Sequence, residues 1–149
     1  MSVETIHRGA VLRQASGRLT VQTKGPGFTE ITDPVSRWVA HTGLRQGVLV
    51  AFCRHTSASL TIQENADPDV RTDLNTALDR LAPRAAAYVH RSEGPDDMPA
   101  HIRAMLTHVA VPIPLMNGRL ALGTWQGLYL VEHRDRPHRR EVVLHLTGA

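Results

Sequence analysis

The stretch VAVPIPLMNGRLALGTWQGLYLVE, Val109 to Glu132, decides the fold. Val109, Val111, Ile113 and Leu115 stand at every second position, the period of a strand with one buried face. Asn117-Gly118 follows, the pair that suits a two-residue hairpin turn in which both positions need positive φ. Leu120 and Leu122 then return as a second strand. Pro112 and Pro114 lack an N–H, so the outgoing strand is expected at a sheet edge with its N–H side unpaired. Gly123 to Gly127 interrupts the returning strand, and its two glycines predict a bulge or a close backbone approach to a ligand. Leu128 to Glu132 continues as a strand. Glu141 to Thr147, around Val142, Leu144 and Leu146, makes the last one.

Upstream, Gly47 to His55 (GVLVAFCRH) is a nearly continuous apolar run of strand length, with Leu49, Ala51, Cys53 and His55 on one face. Cys53 and His55 have a nucleophile–base spacing, but a free cysteine inside an apolar strand is usually an inert small hydrophobe. In the next run, Leu60 and Ile62 alternate with Thr61 and Gln63, which predicts a strand to Glu64. Ala10 to Gln14 and Arg18 to Thr23 are β-prone pieces around Ser16-Gly17, a predicted hairpin closed by Gly25-Pro26-Gly27. Three helices intervene. Thr32 is expected to N-cap the first, with Pro34 in its first turn, Val35, Trp38 and Val39 as its stripe and Gly43 as its stop. Asp67 and Pro68 start the second, whose expected buried stripe is Val70, Leu74, Ala77, Leu78 and Leu81, with Pro83 after its end. The order of elements predicts an α+β fold of mostly antiparallel strands with about three helices.

At 149 residues the chain is expected to form a single domain over 1–149, burying roughly 68–70% of its unfolded surface. Cys53 is the only cysteine, which fits a reducing compartment. There is no signal-peptide pattern and no apolar run near the roughly 18 residues of a membrane span. A cytoplasmic protein without membrane contact is expected. The formal charge is +3, and sixteen arginines with the single Lys24 are spread along the chain. The only dense basic group is Arg134 to Arg140; nucleic-acid binding would want a basic stripe with stacking aromatics, yet the chain has only two each of Phe, Tyr and Trp, so no nucleic-acid partner is expected. Arginine forks suit small anionic ligands.

The densest chemistry lies in YVHRSEGPDDMPAHIRAML, Tyr88 to Leu106. His90 precedes a turn around Gly94 and Pro95. Asp97 has the position of an N-cap, Pro99 falls in the first helical turn, and Met98, Ile102, Met105 and Leu106 recur at helical spacing. His101 is expected on the first turns of that third helix, on the inward face with Met98 and Met105. A loop histidine and a helix histidine beside Glu93, Asp96 and Asp97 can converge on one cation or phosphate. Elsewhere, Thr56, Ser57 and Ser59 lie in a connection where hydroxyls and backbone N–H groups can hold phosphate oxygens. The six histidines outside the candidate set, such as His7 and His138, are expected at the surface.

Four blocks carry a resemblance: HTSASLTIQENADPDV (His55–Val70), YVHRSEGPDDMPAH (Tyr88–His101), GRLALGTWQG (Gly118–Gly127) and VEHR (Val131–Arg134). Together they resemble the YjbQ family, named secondary thiamine-phosphate synthase. Val131 departs from the tryptophan that relatives often have before Glu-His-Arg. The resemblance implies a two-layered β-sandwich with helices, assembled as a homotrimer with sites near subunit boundaries. It also implies that a hydroxymethylpyrimidine diphosphate and a thiazole phosphate are joined with loss of pyrophosphate. The matched positions are His55, Thr56, Ser57, Glu64, Asn65, Asp67, His90, Glu93, Asp96, Asp97, His101, Gly123, Thr124, Gln126 and Glu132. On this reading His55, His90 and His101 hold a divalent metal, zinc being the commonest fit to imidazole. Glu64, Glu93 and Asp97 orient the rings, or one of them replaces a histidine as ligand. Thr56, Ser57, Asn65, Thr124, Arg119 and Arg140 bind a small phosphorylated substrate, and Gln126 and Glu132 read its ring. Metal-dependent phosphoester hydrolysis and a non-catalytic trimeric metabolite-binding role are the alternatives.

Overall fold

The computed structural model describes residues 10, 11 and 13–149. In chain order its elements are β1 (Arg13–Gln22), β2 (Gly27–Glu30), α1 (Thr32–Thr42), β3 (Gly47–Cys53), β4 (Ala58–Glu64), α2 (Pro68–Leu81), α3 (Asp97–Leu106), β5 (Ala110–Met116), β6 (Arg119–Leu120), β7 (Gln126–Glu132) and β8 (Arg139–Gly148). Every strand pair is antiparallel. One sheet has the order β1-β8-β3-β5-β6 and the other β2-β7-β4. The α+β class, the three helices and the antiparallel sheets agree with the sequence reading.

Alternation builds the core. Leu49, Ala51 and Cys53 of β3, Val111, Ile113 and Leu115 of β5, and Val142, Leu144 and Leu146 of β8 form the inner face of the large sheet. They share one buried cluster with Ala58 and Leu60 of β4, Leu128 and Leu130 of β7, and Val35 and Val39 of α1. The other face of β7 is covered as well. Tyr129 meets Phe28 edge-on at 6.1 Å and lies under Arg71 of α2. This double burial explains why Leu128–Val131 reads as an unbroken apolar run.

The Asn117-Gly118 turn forms as its chemistry demands, with φ of 53° and 79°. The returning strand, expected through Leu122, shortens to Arg119–Leu120. β5 therefore pairs with β3 along its length and with β6 only at Leu115 and Met116. The bond from Cys53 N to Val109 O (2.7 Å) sets the phase, so the odd-numbered residues of β5 face β3. Pro112 and Pro114, at even positions, place their N–H-less nitrogens on the largely open side.

Several expectations are corrected. The predicted N-terminal hairpin is instead one ten-residue strand, β1, paired throughout with β8; residue 12, inside the first predicted piece, lies outside the described residues. Gly17 serves packing there, since a Cβ on it would come within 2.7 Å of the Trp38 indole. Beyond the expected stop at Gly25-Pro26-Gly27, the chain forms the unforeseen edge strand β2. Thr32 is the first residue of α1 and not its cap; its hydroxyl donates to Glu30 and accepts from Leu128 N at 2.8 Å. Gly43, at φ 68°, does stop α1. α2 buries none of its expected stripe, and Leu81 is 65% exposed. It packs on β2, an edge strand of four residues too small to cover a whole helix face. No described helix is long and apolar enough to cross a membrane.

Candidate metal centre

The small sheet sorts the candidate residues into two groups. Ala58 of β4 pairs with Glu132 of β7 at one end, and Glu64 pairs with Gln126 at the other. Seven strand residues at about 3.4 Å each separate the ends by about 20 Å. His55, Thr56 and Ser57 enter β4 at the first end, where Glu132 leaves β7. Glu64, Asn65, Thr124 and Gln126 lie at the second.

At the first end, α3 and the loop before it bring His90, Asp97 and His101 together, with ligand atoms all within 4.8 Å of one another. Asp97 is 2% exposed and starts α3, one residue after the N-cap position held by Asp96. The expected cap role is thus replaced by a buried one. Asp97 Oδ2 lies 2.7 Å from His90 Nε2 and 3.3 Å from His101 Nε2. Its Oδ1 accepts from Arg134 Nη1. Burial alone would raise the Asp97 carboxyl, but the hydrogen bond from His90 and the charges of Arg134 and the two imidazoles hold it below the usual carboxylate range.

His101 does not share a face with buried methionines. Met105 is 78% exposed, and α3 instead buries Asp97, Pro99, Ala100, Arg103 and Ala104. Half-exposed, His101 donates from Nδ1 to the Thr56 carbonyl at 3.1 Å when Nδ1 carries the proton. That bond favours the tautomer with a lone pair on Nε2, the atom facing Asp97.

The donor set suits a divalent ion. Atoms bound tetrahedrally to zinc at about 2.0–2.1 Å lie about 3.3 Å apart; the His101–Asp97 separation is 3.3 Å, whereas His90 Nε2 and Asp97 Oδ2, at 2.7 Å, share a direct hydrogen bond that an ion would replace by moving the ring outward. Two imidazoles, one carboxylate and open positions form a familiar set for zinc and for other first-row ions.

His55 is not in this cluster. Its Nε2 accepts from Glu141 N at 2.8 Å, and burial with the nearby Arg140 charge lowers its pKa. Glu132 and Arg140, 2% and 4% exposed, form a buried pair closed by Thr23, and Arg140 also reaches Ser57 Oγ at 3.1 Å. Burial would raise Glu132, but hydrogen bonds from Arg140, the Arg134 backbone and Thr23 keep it depressed. The Glu93 carbonyl and the Asp96 carboxylate both accept from Arg134. Asp67 caps α2 through Asp69 N at 2.9 Å.

At the second end, Gly123–Gln126 forms a turn held by Gln126 Oε1 on Gly123 N (2.8 Å), beside a cavity of about 520 Å³ lined by Glu64, Trp125 and Gln126. Gly127 answers a close approach of protein, not of a ligand, because a Cβ there would meet Glu30 Oε1 at 2.7 Å. Arg119 lies on β6 of the other sheet.

Sequence reasoning missed Arg134, although it closes the VEHR block. It also misplaced His133, which is 2% exposed and shares a 2.8 Å hydrogen bond with Ser59. His7 lies outside the described residues.

Residues 17–149 match the family described as UPF0047 protein YjbQ-like. A UPF0047 protein of Synechocystis is 49% identical over 144 residues, covering 96% of this chain and 98% of that one. The UPF0047 protein YjbQ of Salmonella typhimurium is 41% identical over 87% of this chain and 95% of its own length. A crystal structure from Clostridium acetobutylicum, described as an uncharacterized conserved protein of the same family, superposes with a TM-score of 0.81 at 40% identity, covering 87% of this chain and 98% of that one. These relatives bear only family names, which overturns the expectation of thiamine-phosphate synthase activity: nothing in them supports that reaction. Within one chain the expected phosphate-binding and ring-reading residues lie at two ends of the small sheet. From its match over residues 17–149 and its near full-length relatives, the chain belongs to the YjbQ-like UPF0047 family.

Proposed function

We propose that this chain is a divalent-metal protein in which His90 Nε2, His101 Nε2 and Asp97 Oδ2 hold the ion, zinc being the best match to the donors. The observation that supports this is the convergence of two imidazole nitrogens on one buried carboxylate oxygen, with His101 oriented through the Thr56 carbonyl. A divalent ion at that point supplies a Lewis acid able to polarise an oxygen of a bound ligand. The ligand is a small anionic molecule. A cavity of about 500 Å³ opens beside His90, walled by Ala86, Tyr88, Pro95 and Met98 with Arg91 on its rim, a size suited to a small metabolite.

Assembly as a homotrimer belongs to the same proposal. It is supported by apolar side chains left uncovered on one chain, among them Leu81, Val89 and Met105. Residence in the cytoplasm rests on the single buried thiol of Cys53.

The test is metal titration of chelator-treated protein. Wild type is expected to bind one zinc per chain, with binding lost in His90→Ala and His101→Ala. A wild-type protein that takes up no zinc, cobalt or manganese overturns the proposal. Light scattering in solution checks the trimer.

A further inference from the structure

We infer that Arg134 is the positioning residue of the metal centre: its guanidinium fixes Asp97 as a ligand, so ion affinity depends on a side chain that does not touch the ion. This rests on the metal reading above. One guanidinium serves three acceptors, with Nε on Asp96 Oδ2 at 2.9 Å, Nη1 on Asp97 Oδ1 and Nη2 on the Glu93 carbonyl at 2.8 Å. Those acceptors span the end of the His90 loop and the first residue of α3. A single side chain from beyond β7 thus joins the two segments that supply the ligands.

Arg134 is itself held. His133 N and Arg134 N donate to Glu132 Oε1 at 3.0 and 2.9 Å. Glu132 is in turn anchored by Arg140 and Thr23 within the protein. Asp135 N adds a bond to Asp96 Oδ2 at 3.0 Å. The positioning therefore runs from a buried ion pair, through a tight turn, to the carboxylate. With Oδ1 engaged by Arg134, Asp97 is left with Oδ2 for the ion, the oxygen facing both imidazoles. Without the fork the carboxylate is free to rotate and to accept from His90 through either oxygen. A lysine keeps the charge but has no planar fork with which to serve three acceptors.

Arg84 provides the internal control. It pairs with Asp135 beside the same turn, on the exposed side, and does not contact Asp97.

The experiment measures zinc affinity of the full chain by competition with a chromophoric chelator, and the visible spectrum of the cobalt(II)-loaded protein, for wild type, Arg134→Met, Arg134→Lys and Arg84→Met. Arg134→Met is expected to weaken zinc by about 10–100-fold and to change the cobalt spectrum, because loss of such a ligand-orienting partner typically has that effect. Arg134→Lys should fall between it and wild type, and Arg84→Met should stay within about twofold of wild type, as for an exposed pair. Wild-type affinity and spectrum in Arg134→Met overturn the inference while leaving the metal reading intact. Equal weakening in Arg84→Met also overturns it, because loop tethering would then be the cause. If circular dichroism shows Arg134→Met unfolded, the lysine variant decides, and wild-type affinity in it overturns the inference. Absence of zinc binding in wild type removes the metal reading as well.

Discussion

Glu132→Gln tests the buried pair at the end of β7. The substitution keeps the shape of the side chain and removes its charge, leaving the Arg140 guanidinium, 4% exposed, without a counter-ion. Breaking a buried pair from one side typically costs about 3–5 kcal/mol. Here the lower end applies, because Arg140 Nη2 keeps the Ser57 carbonyl at 3.3 Å and Ser57 Oγ at 3.1 Å, and Thr23 keeps the His138 carbonyl at 3.2 Å. A loss of about 3 kcal/mol is a large part of a total stability of about 5–15 kcal/mol. Urea unfolding at pH 7 should read it as a lower midpoint with an unchanged slope. The pH dependence follows from the depressed Glu132 carboxyl. Its stabilisation is complete above the unfolded value of about 4.3 and is lost as pH falls through the lower folded value. The gap between wild type and variant should therefore narrow below about pH 4. A difference under about 1 kcal/mol at neutral pH, the range of exposed pairs, refutes the reasoning.

Other outcomes follow from single contacts. Burial and the Arg103 charge lower His133 to about 4, so the native state holds it neutral while the unfolded chain takes up a proton below about 6.5. Stability should fall by up to about 3 kcal/mol from pH 6.5 to pH 4, and His133→Gln should lack that component in denaturant titrations at stepped pH. Gly17→Ala should destabilise by about 1–3 kcal/mol, measured by thermal unfolding, as the Trp38 indole is pushed off β1. Burial raises the Cys53 thiol, so alkylation by iodoacetamide in native buffer should be far slower than in urea, and rapid native labelling would contradict the buried placement.

Much of the fold was legible because it is local. The apolar run of strand length at Gly47–Cys53, the period of two in Val109–Leu115, the positive φ wanted at Asn117 and Gly118, and the stop at Gly43 depend on side-chain pattern and steric freedom, which neighbouring residues settle. The Tyr88–Leu106 stretch likewise drew notice, and His90, Asp97 and His101 do meet in it. They are at most eleven residues apart, so a turn and one helix start suffice to bring them together.

Contacts over long sequence separations were not legible. Gly17 looks like a turn residue until Trp38 is seen against it. The apolar stripe of α2 predicts burial, yet only the sheet order shows that it faces an edge strand too small to cover it. His55 alternates in register with a buried face, but its ring goes to the backbone of Glu141, brought alongside by β3–β8 pairing. Residue types and spacing determined which groups were able to bind an ion and which short segments form strands and helices. Tertiary structure alone decided that the carboxylate between the imidazoles belongs to Asp97, and that Arg134, 37 residues further along, holds it, because that separation closes only when β7 pairs with β4.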